Sequence, residues 1–287
     1  AAGILGSRQL GYYLVSGVGL TLCALVTTYF LYQLTPRAHR RRIWLFWICA
    51  PTLLVFLLAN WDALPVLATV AALYAFSRQR PSLAAASLAL GVSAKFYPIL
   101  YLLPLLLSQR RPGAWLKPLA TFLLVAAAVN VPIAVASFDG WSYFLTLSGS
   151  RAPNFDSVWT IVRLVFHGTT VGAVNFFSLA LFAAAYLFIL SRFKGRLPVV
   201  SWFLITLAFL LTNKVFSPQY LLWLLPFFVL LPVLDFKTFY TLEAANILVF
   251  FTVLRWLESI RGSAPAPNLY LYLTLALVAI RHLLLFT

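Results

Sequence analysis

The chain has 287 residues, of which 63% are hydrophobic and only 9% are charged, and its mean hydropathy is +0.94. A soluble domain is about a quarter charged and about half apolar, so this composition excludes an ordinary soluble protein and indicates a polytopic membrane protein. The formal net charge of +15 does not predict nucleic-acid binding, because the basic residues flank apolar runs and no extramembrane basic domain accompanies them.

The apolar runs predict about eleven membrane segments. They do not alternate between polar and apolar residues, which favours helices over barrel strands, since backbone polar groups must be satisfied within the lipid. The predicted fold class is therefore an all-α, polytopic transmembrane helical bundle. The segments lie at roughly residues 11–34, 43–60, 63–77, 82–95, 97–107, 115–137, 171–191, 197–213, 218–234, 239–257 and 269–286.

Two of these segments, 82–95 and 97–107, are too short to cross a bilayer alone, because a full span needs about 20 apolar residues. Lys95 and Pro98 divide them. Irregular backbone at that depth is tolerated only against protein or a wet cavity. The sequence therefore predicts a short re-entrant or broken pair near 82–107.

Basic residues predict the orientation, because they favour cytoplasmic loops. Fourteen of the 21 fall on one side, predicted to be cytoplasmic: Arg37, Arg40, Arg41, Arg42, Arg78, Arg80, Arg110, Arg111, Lys117, Arg192, Lys194, Arg196, Lys237 and Arg281. The longest connection, about 138–170, falls on the outer side. Its aromatic and mixed polar composition predicts short interfacial helices and a binding surface.

We find no internal repeat and predict a single transmembrane domain over residues 1–287. The chain contains no methionine, and residues 1–10 lack the form of a signal peptide. These features predict a fragment truncated at its N-terminus. The two cysteines lie in apolar runs and the three histidines are scattered, so no ligand cluster suggests a metal or a cofactor.

The candidate site residues are polar or charged and lie at or near the outer side. Cations on the side that the orientation rule disfavours need an anionic ligand, such as a lipid phosphate, to explain them. The candidates are Asn60, Asp62, Lys95, Arg151, Asp156, Arg163, Lys214, Gln219 and Tyr220.

Three of these candidates also have plainer interpretations. Lys95 could extend its ammonium group to the outer head groups. Asp62 could cap the helix that begins at Ala63. Asp156, next to Ser157, could cap a helix over residues 157–166.

Three stretches together resemble a known family. Residues 60–65 read Asn-Trp-Asp-Ala-Leu-Pro, residues 93–98 read Ser-Ala-Lys-Phe-Tyr-Pro, and residues 213–223 read Asn-Lys-Val-Phe-Ser-Pro-Gln-Tyr-Leu-Leu-Trp. Their order and spacing resemble bacterial integral-membrane glycosyltransferases of the C type, above all polyprenyl-phosphate-mannose-dependent mannosyltransferases. The last stretch is also similar to the first mannosyltransferase of GPI-anchor synthesis, and the resemblance spans about residues 40–235.

The resemblance implies transfer of a hexose from a polyprenyl-phosphate donor to a lipid or glycan acceptor, with inversion, at the outer face of a bacterial inner membrane. A carboxylate would serve as general base, and cationic groups would stabilise the departing phosphate. On this interpretation Lys95 and Lys214 bind phosphate. Gln219, Tyr220 and Asn60 orient sugar or phosphate oxygens, and the loop arginines at 151 and 163 close the site.

The family's usual catalytic carboxylate lies in the first large outer loop, and no residue of this chain matches it. We expect that base in a part that precedes this chain, and Asp62 is the best candidate base among the residues present. Two other classes stay open: a lipid or small-molecule transporter, and an accessory subunit of a larger membrane complex. Broken helices with charges suit the transporter, whereas the unmatched carboxylate suits the accessory subunit.

Overall fold

The computed structural model describes residues 7–109, 111–193, 198–261 and 268–286. Within these ranges every regular element is a helix and no strand is present, so the all-α prediction is confirmed. The helices are α1 (Ser7–Leu34), α2 (Arg41–Ile43), α3 (Pro51–Phe56), α4 (Ala63–Ser77), α5 (Pro81–Ala94), α6 (Leu102–Leu107), α7 (Leu116–Ala136), α8 (Phe138–Ser150), α9 (Val158–Val165), α10 (Val171–Phe193), α11 (Pro198–Thr212), α12 (Leu225–Leu230), α13 (Phe236–Ser259) and α14 (Leu269–Phe286).

Five helices in the described ranges are long and apolar enough to cross a membrane: Gln9–Leu34, α7, α10, α13 and α14. The eleven separate spans predicted from sequence are not confirmed. The other apolar helices have 10–17 residues, and a helix of 15 residues is only about 23 Å long, against a hydrocarbon core of about 30 Å.

The short helices end at polar residues. Helix α4 follows Asp62, α5 stops before Lys95, and α11 stops before Asn213. The break at Lys95 agrees with the predicted division of 82–107, since the chain continues as a 3-10 turn (Tyr97–Tyr101) and α6.

We call the end of the bundle that carries the turn 78–80 and residues 231–237 the basic end. Helices α4, α5 and α11 have 14 or 15 residues, whereas α7, α10 and α13 have 21 to 24. At 1.5 Å per residue, the short helices end roughly 10 Å below the opposite ends of the long ones. The polar residues at their tips are therefore recessed.

The basic end is held together by Arg42. Its guanidinium donates to the carbonyl oxygens of Phe228 at 2.6 Å, Val229 at 3.0 Å and Leu231 at 2.6 Å. These are carbonyls at the C-terminus of α12, which lack partners within the helix and favour a cation.

The prediction that Arg281 belongs to the basic side is wrong. Its guanidinium donates to the carbonyl oxygens of Phe216 and Asp156, which lie in the segments at the opposite end. A count of charges by position in sequence missed this, because Arg281 lies inside α14 rather than in a loop.

The predicted outer connection over 138–170 contains α8 and α9. Helix α8 is capped at its N-terminus by Ser137, whose hydroxyl accepts a hydrogen bond from the amide of Gly140 at 3.3 Å. Helix α8 has no buried residue, whereas α9 buries Trp159. The indole of Trp159 donates to the carbonyl of Thr212 at 2.7 Å, so α9 is fixed to the end of α11.

The core draws buried residues from most of the helices, among them α1, α3, α4, α5, α11, α12 and α13, and from the turn Tyr97–Tyr101. The rings of Tyr101 and Trp202 stack with centroids 4.6 Å apart, and the Tyr101 hydroxyl hydrogen-bonds to Thr206. Helices α4 and α5 approach closely at Gly91. A Cβ there would lie 2.9 Å from the Cβ of Ala68 and 3.1 Å from Cγ of Pro98.

We predict that Gly91→Val lowers the free energy of unfolding by about 1–3 kcal/mol, because overpacking would push α4 and the turn at Pro98 away from α5. Thermal unfolding in detergent measures this. Gly19→Val is the control, since a Cβ at Gly19 meets no atom within 4 Å. Equal losses in the two variants would contradict the close packing at Gly91.

Candidate functional site

The centre of the candidate site is an ion pair between Asp62 and Lys95. The Lys95 ammonium lies 2.5 Å from Oδ1 of Asp62, whose side chain is fully buried while that of Lys95 is 29% exposed. The indole Nε1 of Trp223 donates to the same oxygen at 2.8 Å. One carboxylate oxygen therefore connects the start of α4, the end of α5 and the end of the 3-10 turn Pro218–Trp223.

Three aromatic rings form a stack beside this ion pair. Trp223 lies between Tyr97 and Tyr220, with centroid distances of 4.0 and 4.3 Å. The Lys95 ammonium is 4.4 Å from the Tyr220 ring centroid and 5.1 Å from that of Trp223. The rings hold the cation by cation–π attraction, so the position of Lys95 is set from two sides.

The side chain of Asn60 orients Asp62. The Asn60 side-chain oxygen accepts a hydrogen bond from the Asp62 amide at 2.8 Å. The Asn60 Nδ2 and the second Asp62 oxygen, Oδ2, are buried and have no hydrogen-bond partner among the described residues. A polar group that reached these two buried atoms would satisfy their hydrogen-bonding capacity.

A second cation, Lys214, lies in the segment between α11 and the 3-10 turn Pro218–Trp223. Its ammonium donates to the carbonyl of Arg151 at 2.7 Å, and its own carbonyl accepts from the Asn154 amide at 3.0 Å. The Asn154 side chain also donates to Ser217 at 3.1 Å and accepts from Arg151 at 2.5 Å. The segments 151–157 and 213–218 are thus paired.

Tyr220 connects the two parts of the site. It stacks beside Lys95 and lies within electrostatic reach of Asp62, Arg151 and Asp156. The sequence-predicted residues Asn60, Asp62, Lys95 and Tyr220 therefore come together, and Lys214, Arg151 and Asp156 form the adjoining region.

Two predicted residues do not join these contacts in the described part of the chain. Gln219 is half-buried and its side chain makes no hydrogen bond there. Arg163 is exposed in the last turn of α9.

Asp62 and Asp156 do not cap the helices for which they were candidates, and Lys95 binds an acidic residue. Asp62 occupies the N-cap position of α4 but its side chain makes no capping hydrogen bond. The Lys95 ammonium binds the carboxylate of Asp62. Helix α9 begins after Ser157 without any side-chain cap. The carboxylate of Asp62 binds a cation instead of helix amides because Lys95 and Trp223 enclose it.

Burial changes the acidity of the loop residues. It raises the pKa of the Asp156 carboxyl, although the positive charges of Arg281 and Arg151 oppose that shift. It lowers the pKa of Lys214, and Arg151 lowers it further. Both shifts disfavour charge, and an anionic ligand beside Lys214 would oppose the lowering of its pKa.

Sequence analysis missed four residues that shape the site. Trp223 belongs to the third motif, but its aromatic and aliphatic surroundings favoured a packing role. Asn154 looked like an ordinary loop residue. Asn246 and Arg281, a polar and a charged residue inside apolar helices, gave a signal that could have identified them, since such residues in a membrane segment need a partner.

No metal centre is apparent in the described ranges. They contain no group of three or more histidine, cysteine, aspartate or glutamate side chains that could hold a metal ion. The site instead offers two ammonium groups: Lys95, which lies beside aromatic faces, and Lys214, which donates to a main-chain carbonyl. Such groups bind phosphate oxygens.

Comparison with known proteins defines the class of protein. A model of glycosyltransferase family 87 matches residues 5–218, about three quarters of the chain. Together with the apolar, membrane-length helices, this match identifies an integral-membrane glycosyltransferase. The chain belongs to glycosyltransferase family 87. Neither the curated proteins nor the solved structures include a match to it.

The family match covers only part of the candidate site. It includes Asp62, Lys95, Lys214 and the loop residues 151–163, and it ends at Pro218. Tyr220, Trp223 and the hairpin of α13 and α14 follow the matched region. The residues that enclose Lys95 and Lys214 thus come from both parts of the chain.

We predict that Asp62→Ala lowers the free energy of unfolding by about 1–3 kcal/mol, because Lys95 and the Trp223 N–H lose their acceptor. A double-mutant cycle with Lys95→Ala should give a coupling energy of about 0.5–3 kcal/mol. Urea or thermal unfolding of the four proteins in one detergent measures it. Strictly additive losses would show that the ion pair contributes nothing.

Asp156 should make stability depend on pH. A carboxyl whose pKa is raised by folding stabilises the protein while it is protonated, and this contribution is lost as the pH rises through the raised pKa. Asp156→Asn, neutral throughout, should therefore raise Tm more at pH 7 than at pH 4. Asp139→Asn, which removes an exposed carboxyl, is the control. A change in Tm that is the same at both pH values would refute this.

Proposed function

We propose that this membrane glycosyltransferase transfers a hexose, such as mannose, from a polyprenyl-phosphate donor to a lipid or glycan acceptor, with inversion at the anomeric carbon. The observation that carries the proposal is the pair of lysines at the recessed tips of short helices. Among the described residues, Lys95 and Lys214 each donate one hydrogen bond to the protein. An ammonium has three N–H donors, so both can also bind phosphate oxygens.

The recess supports a lipid-linked donor. The site lies roughly 10 Å below the opposite ends of the long helices, a depth at which the phosphate of a membrane lipid can reach it from the side. Helix α7 buries only Pro118 and Phe122, so its apolar surface suits contact with lipid chains. We infer that the donor phosphate enters laterally.

The basic end is proposed to face the cytoplasm, because lysine and arginine favour cytoplasmic loops. The site then opens toward the extracytoplasmic face, and we place the protein in a bacterial inner membrane.

In the proposed reaction an acceptor hydroxyl attacks the anomeric carbon. The new bond joins the acceptor oxygen to that carbon, the bond from carbon to phosphate oxygen breaks, and polyprenyl phosphate leaves. Negative charge grows on the phosphate, and Lys95 and Lys214 stabilise it. Tyr220, Gln219 and Asn60 orient sugar or phosphate oxygens, and Arg151 and Arg163 close the site from the loop.

The hydroxyl proton needs a base. Asp62 is the candidate in this chain. Its Oδ1 accepts from Lys95 and Trp223, so only Oδ2, which is buried without a partner in the described ranges, could receive the proton. These contacts favour a main role for Asp62 in holding the Lys95 ammonium toward the phosphate, rather than in taking the proton.

We predict that Lys214→Ala and Lys95→Ala each lower kcat for sugar transfer by about 10²–10³-fold, since each removes a group that stabilises the leaving phosphate. Purified protein in lipid nanodiscs is assayed with polyprenyl-phosphate-[¹⁴C]mannose and a panel of other polyprenyl-phosphate hexoses. Lys117→Ala removes an exposed cation at the basic end and should leave transfer unchanged. Wild-type transfer by Lys214→Ala would exclude the proposed phosphate site.

A further inference from the structure

Arg281 is a charged residue inside a membrane-length helix, outside the family match. Its side chain is fully buried in α14. A cation inside a membrane segment is costly, so its interactions require a reason. In the described residues it forms no ion pair: Asp156 is near enough to attract it, but its hydrogen bonds go to main-chain carbonyls and to a side-chain amide.

The guanidinium binds main-chain carbonyls of two separate segments. Its Nη2 donates to the carbonyl of Phe216 at 3.1 Å and to the carbonyl of Asp156. Its Nη1 donates to Oδ1 of Asn246 on α13 at 3.0 Å. It also lies 3.8 Å from the centroid of the Phe216 ring.

Asn246 extends the same contact. It is fully buried, and its Nδ2 donates to the carbonyl of Pro218 at 2.8 Å and to the hydroxyl of Thr52 at 3.1 Å. The two side chains thus hold three carbonyls: two on segment 213–218, on either side of Ser217, and one on segment 151–157.

These are the two segments that pair around Lys214. On the far side from α14, Lys214 binds the Arg151 carbonyl and Asn154 binds both Lys214 and Ser217. Without Arg281 the carbonyls of Phe216 and Asp156 would lose these donors, and a buried carbonyl without a donor is unfavourable. The segments would relieve that cost by moving apart.

We propose that Arg281, assisted by Asn246, is a positioning residue that holds segments 151–157 and 213–218 together and so keeps the Lys214 ammonium in place. The planar guanidinium suits this task because its donors diverge in fixed directions and it stacks on the Phe216 ring, whereas a lysine offers one flexible point charge. The placement of Lys214 follows from the contacts alone. Its effect on sugar transfer rests on the proposed function.

The direct test is the chemical accessibility of Lys214. In the wild-type protein this ammonium is buried and hydrogen-bonded. Detergent-solubilised protein is treated briefly with an amine-reactive ester, and labelling at Lys214 is compared with that at Lys237 by mass spectrometry. In Arg281→Lys and Arg281→Met we expect the Lys214 to Lys237 ratio to rise about tenfold, as the loss of one such contact allows.

Two further variants make the test decisive. Asn246→Ala removes the support behind Arg281 and Pro218 and the hydrogen bond to Thr52, and it should raise the ratio by a smaller factor. It also serves where Arg281→Met does not fold. Arg255→Met removes an arginine from the same hairpin, whose side chain is 68% exposed and pairs with Glu258 on its own helix, and it should leave the ratio at the wild-type value.

Kinetics separate positioning from general stability. In the transfer assay Arg281→Lys should lower kcat at least as strongly as it raises KM for the donor, because a displaced Lys214 fails in the transition state. An unchanged Lys214 ratio in Arg281→Lys, even with a lowered Tm, would overturn the positioning role. A raised ratio combined with full transfer by Lys214→Ala would uphold the positioning role and remove the phosphate role of Lys214.

Discussion

The ion pair between Asp62 and Lys95 is the interaction on which the recessed site depends. Neither charge is stable alone inside a membrane protein, so each requires the other and the Trp223 N–H. Helix α4 begins beside Asp62, α5 ends beside Lys95, and Trp223 ends the turn that follows α11. Satisfying one carboxylate therefore brings together the ends of short helices that the sequence separates by more than a hundred residues.

Exposure differs sharply within that pair, and this difference gives each residue its role. Asp62 is enclosed, whereas Lys95 keeps part of its side chain exposed and rests on the faces of Tyr220 and Trp223. The acid and the rings fix where the ammonium lies, and the exposed part can bind an anion. A cation held in advance does not have to reorganise when charge develops on a leaving phosphate.

A second set of polar contacts positions Lys214. Lys214 is held by the loop after α8, and the loop is held by Arg281 from α14. The α13–α14 hairpin lies beyond the family match, yet its buried polar residues bind the main chain of the matched part. Hydrogen bonds to main-chain carbonyls in a dry interior are strong and directional, which explains how a distant hairpin can position a lysine.

The candidate site was partly predictable. Lys95, Lys214 and Asp62 stand out because charged residues interrupt apolar runs, and their family-like motifs indicated a common site. Trp223 and Tyr97 could not be distinguished from lipid-facing aromatics, because a ring in an apolar stretch looks the same whether it packs on lipid or on a cation. Asn154 and Asn246 bind main-chain carbonyls and amides, and such bonds depend on which loops meet.

The helical fold class and the membrane setting follow from sequence alone, because a backbone in lipid must satisfy its own polar groups and long apolar runs can do so only as helices. Sequence also marked the break at Lys95, since a charge and a proline end a helix. Only the tertiary structure decided which helices are long enough to span, that Arg281 faces the Lys214 segment and that Asp62 binds Lys95. Those outcomes depend on the partners that buried polar atoms find, and partners are set by three-dimensional packing rather than by local pattern.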